Sequence, residues 1–245
     1  MEHAWLYIAV ALVALGIAGL AGGLLSERRL VRYQAPLVVF AAGALLGAVF
    51  LDILPESIAT FGKRALPWSL ASFIVLAILE WAAGHHHHTE DKSPPKRLLP
   101  LTLLASDALH NVGDGAAIAA AFLVSTRAGV AMGLAIVAHE VPQEVGDYAV
   151  LRAAGYSRRR SLAALAAVQL TAVVGAVGVI VAAGRLPNFT GAMLSIAAGT
   201  FLYIGATDLL PEIHSGHSTV DRRERLAGFL SGVAFIAIAS LCAGE

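Results

Sequence analysis

Charge is scarce in this sequence. Only 14% of its 245 residues are Asp, Glu, Lys or Arg, against roughly 25% in an ordinary soluble domain. Positive and negative residues balance at 17 each, so no basic field invites nucleic acid. No Gly-rich phosphate loop joins a strand to a helix. A single cysteine, Cys242, excludes a disulfide framework and a cysteine-based zinc cage. What fills the chain instead is hydrocarbon: 58% of residues are hydrophobic and the mean hydropathy is +0.74. The balance is that of an integral membrane protein.

A membrane-crossing helix needs about 20 mostly apolar residues. Eight runs qualify, at 5–25, 36–57, 67–83, 98–124, 128–151, 160–183, 189–212 and 225–243. They predict an all-α polytopic membrane domain covering 1–245. The first run has no Lys or Arg ahead of it and three arginines behind it (Arg28, Arg29, Arg32), so it reads as a helix rather than a signal peptide. If both termini face outward, 13 of the 17 basic residues fall in inner loops. Only Lys63, Arg64, Arg127 and Arg185 remain outside, and the positive-inside rule selects that orientation.

Two runs break the apolar pattern at their centres. The fourth holds SDALHNVGDG (106–115) and the fifth AHEVPQEVGD (138–147). At about 100° per residue, Asp107, His110, Asn111 and Asp114 share one helical face. His139, Glu140, Gln143, Glu144 and Asp147 share another. The five carboxylates would cost about 12–17 kcal/mol if they were ionised and unpaired at mid-membrane, and no Lys or Arg lies in the membrane part of either run to balance them. A protonated polar seam between helices is the bland alternative. A bound cation balances five acids and two imidazoles better. Imidazole, carboxylate and amide without thiolate suit a borderline divalent ion such as Zn²⁺, Fe²⁺ or Mn²⁺. His110/Asp114 and His139/Gln143 are i,i+4 pairs, which aim two side chains at one point. Pro142 frees the carbonyl of Ala138 beside the site, a break tolerated where it borders a cavity or protein rather than lipid.

The stretches GALLGAVFLDILPE (43–56) and GTFLYIGATDLLPE (199–212) align without gaps and share six of fourteen residues. HNVGD in the fourth run likewise echoes HEVPQ in the fifth. Each pair lies on oppositely directed runs, as expected of inverted repeats with the substrate site near their axis. A route follows. Asp52 and Glu56 mark an outer entrance, and His110, Asn111, Asp114, His139, Glu140, Gln143 and Glu144 the middle. Asp107, Asp147, Asp208, Glu212 and His214 line an inner exit.

At these residues the chain resembles the ZIP (Zrt/Irt-like) family of divalent metal importers. HNVGDG resembles the family's fourth-helix motif in the branch with Asp before the glycine. HEVPQEVGD resembles the same branch's H-E-x-P-H-E-x-G-D. The resemblance implies eight helices, both termini outside, and a binuclear-type centre. His110, Asp114, His139 and Gln143 match one metal position; Asn111, Asp114, Glu140, Gln143 and Glu144 match its neighbour. It also implies one helix bundle sliding against another to deliver metal to the cytosol. Gln143 departs from the pattern by replacing the motif's second histidine, which leaves the second position and the choice of metal open.

The expectation is therefore a bacterial-type inner-membrane transporter that imports Zn²⁺, with Fe²⁺, Mn²⁺ and Cd²⁺ as alternative cargo and no enzymatic activity. A metal exporter or a proton-coupled carrier are rival readings. HEVPQ also falls one histidine short of the zinc-protease motif H-E-x-x-H. The loop 84–97 between the third and fourth runs, with His85–His88, reads as a solvated cytosolic segment, or else as a weak metal buffer. Gln169, midway along the sixth run, reads as packing or an interface anchor, with completion of a coordination shell as its alternative. The 24 glycines, Gly19 and Gly23 among them, suit close helix contact and leave a homodimer open.

Overall fold

A computed structural model describes residues 3–20, 27–87, 99–213 and 221–243, with the side chains at 27–34, 83–87, 99, 208, 212 and 213 outside that description. Among the described residues all regular structure is helical. The helices are α1 (Ala4–Ala18), α2 (Glu27–Ala48), α3 (Leu54–Phe61), α4 (Ala65–His87), α5 (Leu99–Val124), α6 (Thr126–Ala153), α7 (Arg158–Gln169), α8 (Thr171–Ala183), α9 (Phe189–Tyr203) and α10 (Arg222–Ala243). The fourth and fifth apolar runs are α5 and α6. The third run continues as helix to His87, so His85–His87 extend α4 rather than opening a loop. His88 and residues 89–98 lie outside the described residues.

The breaks follow from local chemistry. Ser125 alone separates α5 from α6, in extended conformation, and its hydroxyl accepts from the Ala128 N–H at 3.1 Å as an N-cap. Ser157 caps α7 the same way through Arg160. The end of α6 is a Schellman turn. Gly155 takes φ +92°, its N–H bonds the Arg152 carbonyl, and the Tyr156 N–H bonds that of Leu151. Gly62, at φ +63°, breaks the rod between α3 and α4.

The two copies of the repeat share a deviation. A π-helical turn occupies Val49–Ile53 in one and Ile204–Leu209 in the other. Each precedes the proline of its Asp-x-Leu-Pro-Glu segment, Pro55 or Pro211. Proline clashes with the carbonyl four residues back and offers it no N–H. Widening the helix by one residue per turn accommodates that conflict without ending the rod.

The helices pack as two groups, each joined where backbones touch. A Cβ added at Gly115 would lie 1.8 Å from the Ala172 carbonyl oxygen, and one at Gly175 1.8 Å from that of Val112, which locks α5 to α8. In the other group Gly43 and Gly232 join α2 to α10, at 2.0 Å from the Phe229 oxygen and 2.1 Å from the Phe40 oxygen. Gly199 joins α9 to α4, helped by Ser69 donating to the Ser195 carbonyl at 2.8 Å and Ser72 to that of Ile196 at 2.9 Å. Between the groups, α2 runs along α6. The buried residues there are smooth: Ala44, Leu45, Ala48 and Val49 against Ala131, Met132, Ala135 and Ile136.

Polarity is inverted relative to a soluble protein. Large apolar side chains face outward along α1 (Trp5, Val10, Val13, Ile17), α4 (Leu70, Ile74, Ile78, Trp81), α8 (Val174, Val177, Val181) and α10 (Leu230, Phe235, Ile238). Meanwhile Asp107, Asn111, Asp114, His139, Glu140 and Glu144 are buried. So continuous an apolar exterior is far beyond the few hundred Å² of a soluble surface. Four helical stretches among the described residues are long and apolar enough to cross a membrane: Ala35–Ala82, Arg158–Ala183, Phe189–Thr207 and Arg222–Ala243. At 26 and 28 residues, α5 and α6 have the length as well. Their mid-helix polar residues lower their hydropathy, and those residues face inward.

Candidate metal centre

The polar faces of α5 and α6 meet at the middle of the bundle. His110 and Asp114 project from successive turns of α5; His139 and Glu140 project from α6. One ligand atom from each of the four lies within 4.8 Å of all the others. The His110 and His139 Nε2 atoms are 3.2 Å apart. From His110 Nε2, Asp114 Oδ2 lies at 3.7 Å and Glu140 Oε1 at 3.5 Å. From His139 Nε2 each of those two oxygens lies at 3.6 Å. A tetrahedral Zn²⁺ with ligands at about 2.0–2.1 Å has ligand–ligand edges of about 3.4 Å. The four atoms therefore stand near the corners of a zinc-sized tetrahedron.

Hydrogen bonding alone leaves this arrangement unsatisfied. Asp114 Oδ2 and Glu140 Oε1, the two carboxylate corners, are buried and lack a hydrogen-bond partner. Such orphaned acceptors are costly unless something else satisfies them, and a cation at the tetrahedron's centre would. The His139 ring is oriented for the purpose. Its Nδ1 lies 3.3 Å from the Ala135 carbonyl. That oxygen only accepts, so Nδ1 carries the proton and Nε2 presents its lone pair to the centre, an outer-shell constraint common among metal-ligating histidines. Pro142, one turn further along α6, is buried, and α6 runs through it without a break.

Around the four corners the remaining predicted residues form two flanking sets. On one side Asn111 and Gln143 both donate to Asp107 Oδ1, at 3.0 and 3.2 Å. Gln143 thus turns towards Asp107, while Glu140 supplies the fourth corner of the tetrahedron. On the other side the Gln169 Nε2 donates to Glu140 Oε2 at 2.7 Å and to Glu144 Oε1 at 2.6 Å. From the sequence Gln169 reads as packing, with completion of a coordination shell as the alternative. Its reach to two acids emerges only when α7 is folded against α6.

From His110 a cavity of about 480 Å³ extends past Asp107, Gln143 and Asp147 to Glu80, Thr200 and Tyr203. It separates the α5/α6 pair from α4 and α9. The predicted exit residues Asp107 and Asp147 line it. The sequence reading overlooked Glu80, whose carboxylate accepts a hydrogen bond from the Tyr203 hydroxyl; its signal was one acid in the otherwise apolar third run. The side chains of Asp208 and Glu212, and all of His214, lie outside the described residues.

At the opposite end, the predicted entrance residue Asp52 is buried and already engaged. Its Oδ1 accepts from Arg127 Nε at 2.7 Å, and its Oδ2 from the Ser240 hydroxyl at 2.6 Å. Glu56 sits half-buried in the first turn of α3. These two acids stand apart from the tetrahedral cluster.

A His₂-carboxylate₂ cluster between two neighbouring helices, under an apolar exterior, has the donor set of a membrane protein that could hold a metal ion. Comparison with known proteins is more specific: the ZIP zinc transporter family profile matches residues 80–240. The chain belongs to the ZIP family. It is 36% identical to "Zinc transporter foi" of Drosophila melanogaster over 181 residues, 70% of this chain and 25% of that protein. It is 43% identical to human "Zinc transporter ZIP4" over 119 residues, 49% of this chain and 18% of the relative. "Zinc transporter ZIP13" of Pongo abelii matches at 30% over 219 residues, 84% of this chain and 66% of the relative. The chain thus spans a quarter or less of the length of the first two relatives. Members of the family are transporters rather than enzymes.

Proposed function

We propose that the chain carries divalent metal ions across the membrane, with Zn²⁺ as cargo and the cytosol as destination. In this reading eight membrane spans place both termini outside, in the inner (plasma) membrane of a bacterial-type cell. The observation that carries it is the zinc-sized tetrahedron of His110, Asp114, His139 and Glu140, with two orphaned carboxylate oxygens as its corners. Relatives bearing the name zinc transporter support the choice of cargo. Four corners of mixed nitrogen and oxygen suit Zn²⁺ better than the octahedral oxygen shells preferred by hard ions.

Direction draws on two features. The positive-inside count assigns the Asp107/Asp147 end to the cytosol, and the cavity leads from the site to that end. At the other end the seam between α2 and α6 is filled by aliphatic side chains and closed by the Asp52–Arg127 pair. This geometry suits an inward-facing state, from which metal leaves past Asp107 and Asp147. The smooth seam between the two helix groups is the surface along which one group would slide.

The test is uptake of Zn²⁺, Cd²⁺, Fe²⁺ and Mn²⁺ into proteoliposomes of purified protein, with and without a pH gradient. His110→Ala and Asp114→Ala each remove one corner, and transport is expected to fall at least 100-fold while size-exclusion elution stays unchanged. Full activity in either variant would remove the site from the pathway.

A further inference from the structure

Both protons of the Gln169 amide are committed, one to Glu140 and one to Glu144. The nitrogen therefore sits between two carboxylates at 2.6–2.7 Å from each, in a place fully shut off from solvent: both glutamates are 0% exposed and Gln169 is 5%. Two facing carboxylates with no cationic side chain between them are an obvious seat for a cation. A metal ion there would bond those oxygens at about 2.0–2.2 Å, and so would overlap the amide nitrogen. The same side chains offer such an ion further donors, since Glu144 Oε2 and Gln169 Oε1 are buried and lack hydrogen-bond partners.

Gln169 also has little freedom to leave. A Cβ on Gly19 of the turn after α1 would lie 2.5 Å from its Cγ and Cδ and 2.6 Å from its Nε2. The absence of a side chain at Gly19 is thus what admits the amide to its place. The same hydrogen bond divides the labour of Glu140: Oε2 is held by Gln169 while Oε1 faces the tetrahedron.

We propose that the Gln169 amide fills the second cation position between Glu140 and Glu144, so that the site binds one divalent ion per chain and Gln169 fixes Glu140 as its fourth ligand. This rests on the tetrahedral reading of His110, Asp114, His139 and Glu140, and refines it. Gln169 is a positioning and specificity-determining residue; it need not touch the transported ion. An amide holds the two acids apart without supplying charge. A carboxylate in its place would add a ligand and open the position. Rotating the amide by half a turn would bring Oε1 against both acids, an arrangement that only a second cation would favour. Stoichiometry therefore discriminates between the two.

The measurement is equilibrium dialysis of the full chain in nanodiscs against Zn²⁺ or Cd²⁺ alone, with metal and protein both quantified. The His85–His88 run is replaced by serines to remove binding by that run. One ion per chain is expected, lost in His110→Ala. In Gln169→Glu two ions are expected. In Gly19→Ala, which displaces the amide without changing its chemistry, a second and weaker ion is expected. Gln169→Leu is expected to keep the count at one but weaken binding 10–100-fold, as loss of an outer-shell partner does. Two ions in the parent chain would overturn the proposal, as would a count that stays at one in Gln169→Glu. No ion in the parent, or one ion that survives His110→Ala, would instead defeat the tetrahedral reading beneath it. If Gln169→Glu does not fold, Gly19→Ala decides: a count fixed at one there rejects the proposal.

Discussion

Asp52 and Asp107 are the same side chain, both buried, at opposite ends of the proposed path, and their surroundings differ sharply. Arg127 and Ser240 take both oxygens of Asp52. Asp107 receives two neutral amides on one oxygen, keeps the other unpartnered, and lines a cavity. A carboxylate matched to a guanidinium is structural: it ties the π turn after α2 to the start of α6 and, through Ser240, to α10. A carboxylate left half-satisfied beside a cavity is available to a passing cation. The difference comes from the partners rather than from the acids.

Breaking the paired end should have the larger effect on stability. Arg127→Ala leaves the Asp52 charge buried with only Ser240 for company. Breaking a fully buried pair costs about 3–5 kcal/mol; the Arg127 side chain is 48% exposed, so about 2 kcal/mol is a better expectation. Thermal unfolding in detergent would show it as a Tm lower by several degrees. Asp52→Asn added to Arg127→Ala should recover most of the loss, since no unpaired charge remains. Failure to recover would mean that Arg127 acts through packing rather than through charge.

Breaking the open end should reverse the pattern. In Asp107→Asn the amides of Asn111 and Gln143 keep an oxygen to donate to, and the unpartnered anionic oxygen is replaced. Stability should change by less than about 0.5 kcal/mol or rise. Zinc uptake should fall about tenfold, because the first anionic stop beyond His110 is gone. Equal loss of stability in Asp107→Asn and Arg127→Ala would erase the contrast between the two ends.

How much of this was legible beforehand divides along the same line. The polar faces of α5 and α6 could be read from residue type and 3.6-residue spacing, because a charge in oil needs a partner wherever it sits. The six identities between 43–56 and 199–212 pointed to the shared proline segment, although not to the π turns it produces. Partners from distant helices were not legible. That Arg127 answers Asp52 across 75 residues, that Gln169 spans Glu140 and Glu144, and that Glu140 stands with His110, Asp114 and His139 while Gln143 donates to Asp107 are facts of tertiary packing. Periodicity places a residue on a face but does not say which of two neighbouring side chains points to the centre. Gly19 shows the limit well. It read as a small residue for close helix contact, and its contact is with the side chain that hydrogen-bonds Glu140 and Glu144.

The smallest expected effect sharpens the comparison most finely. Ser240 gives Asp52 its second hydrogen bond, at 2.6 Å, from α10. In Ser240→Ala the carboxylate keeps Arg127 on one oxygen and loses its only α10 donor on the other. A hydrogen bond to a charged group contributes about 1.5–3 kcal/mol, an ordinary one nearer 1. Because the guanidinium already offsets the charge, the lower value of about 1 kcal/mol is expected by thermal unfolding. Its effect should also depend on Arg127. In the Arg127→Ala background Ser240 is the last donor to a buried anion, so removing it should cost more there than in the parent chain. Additive losses in the double variant would mean that the serine and the arginine support Asp52 independently, and the closed end would then be two separate contacts rather than one clasp.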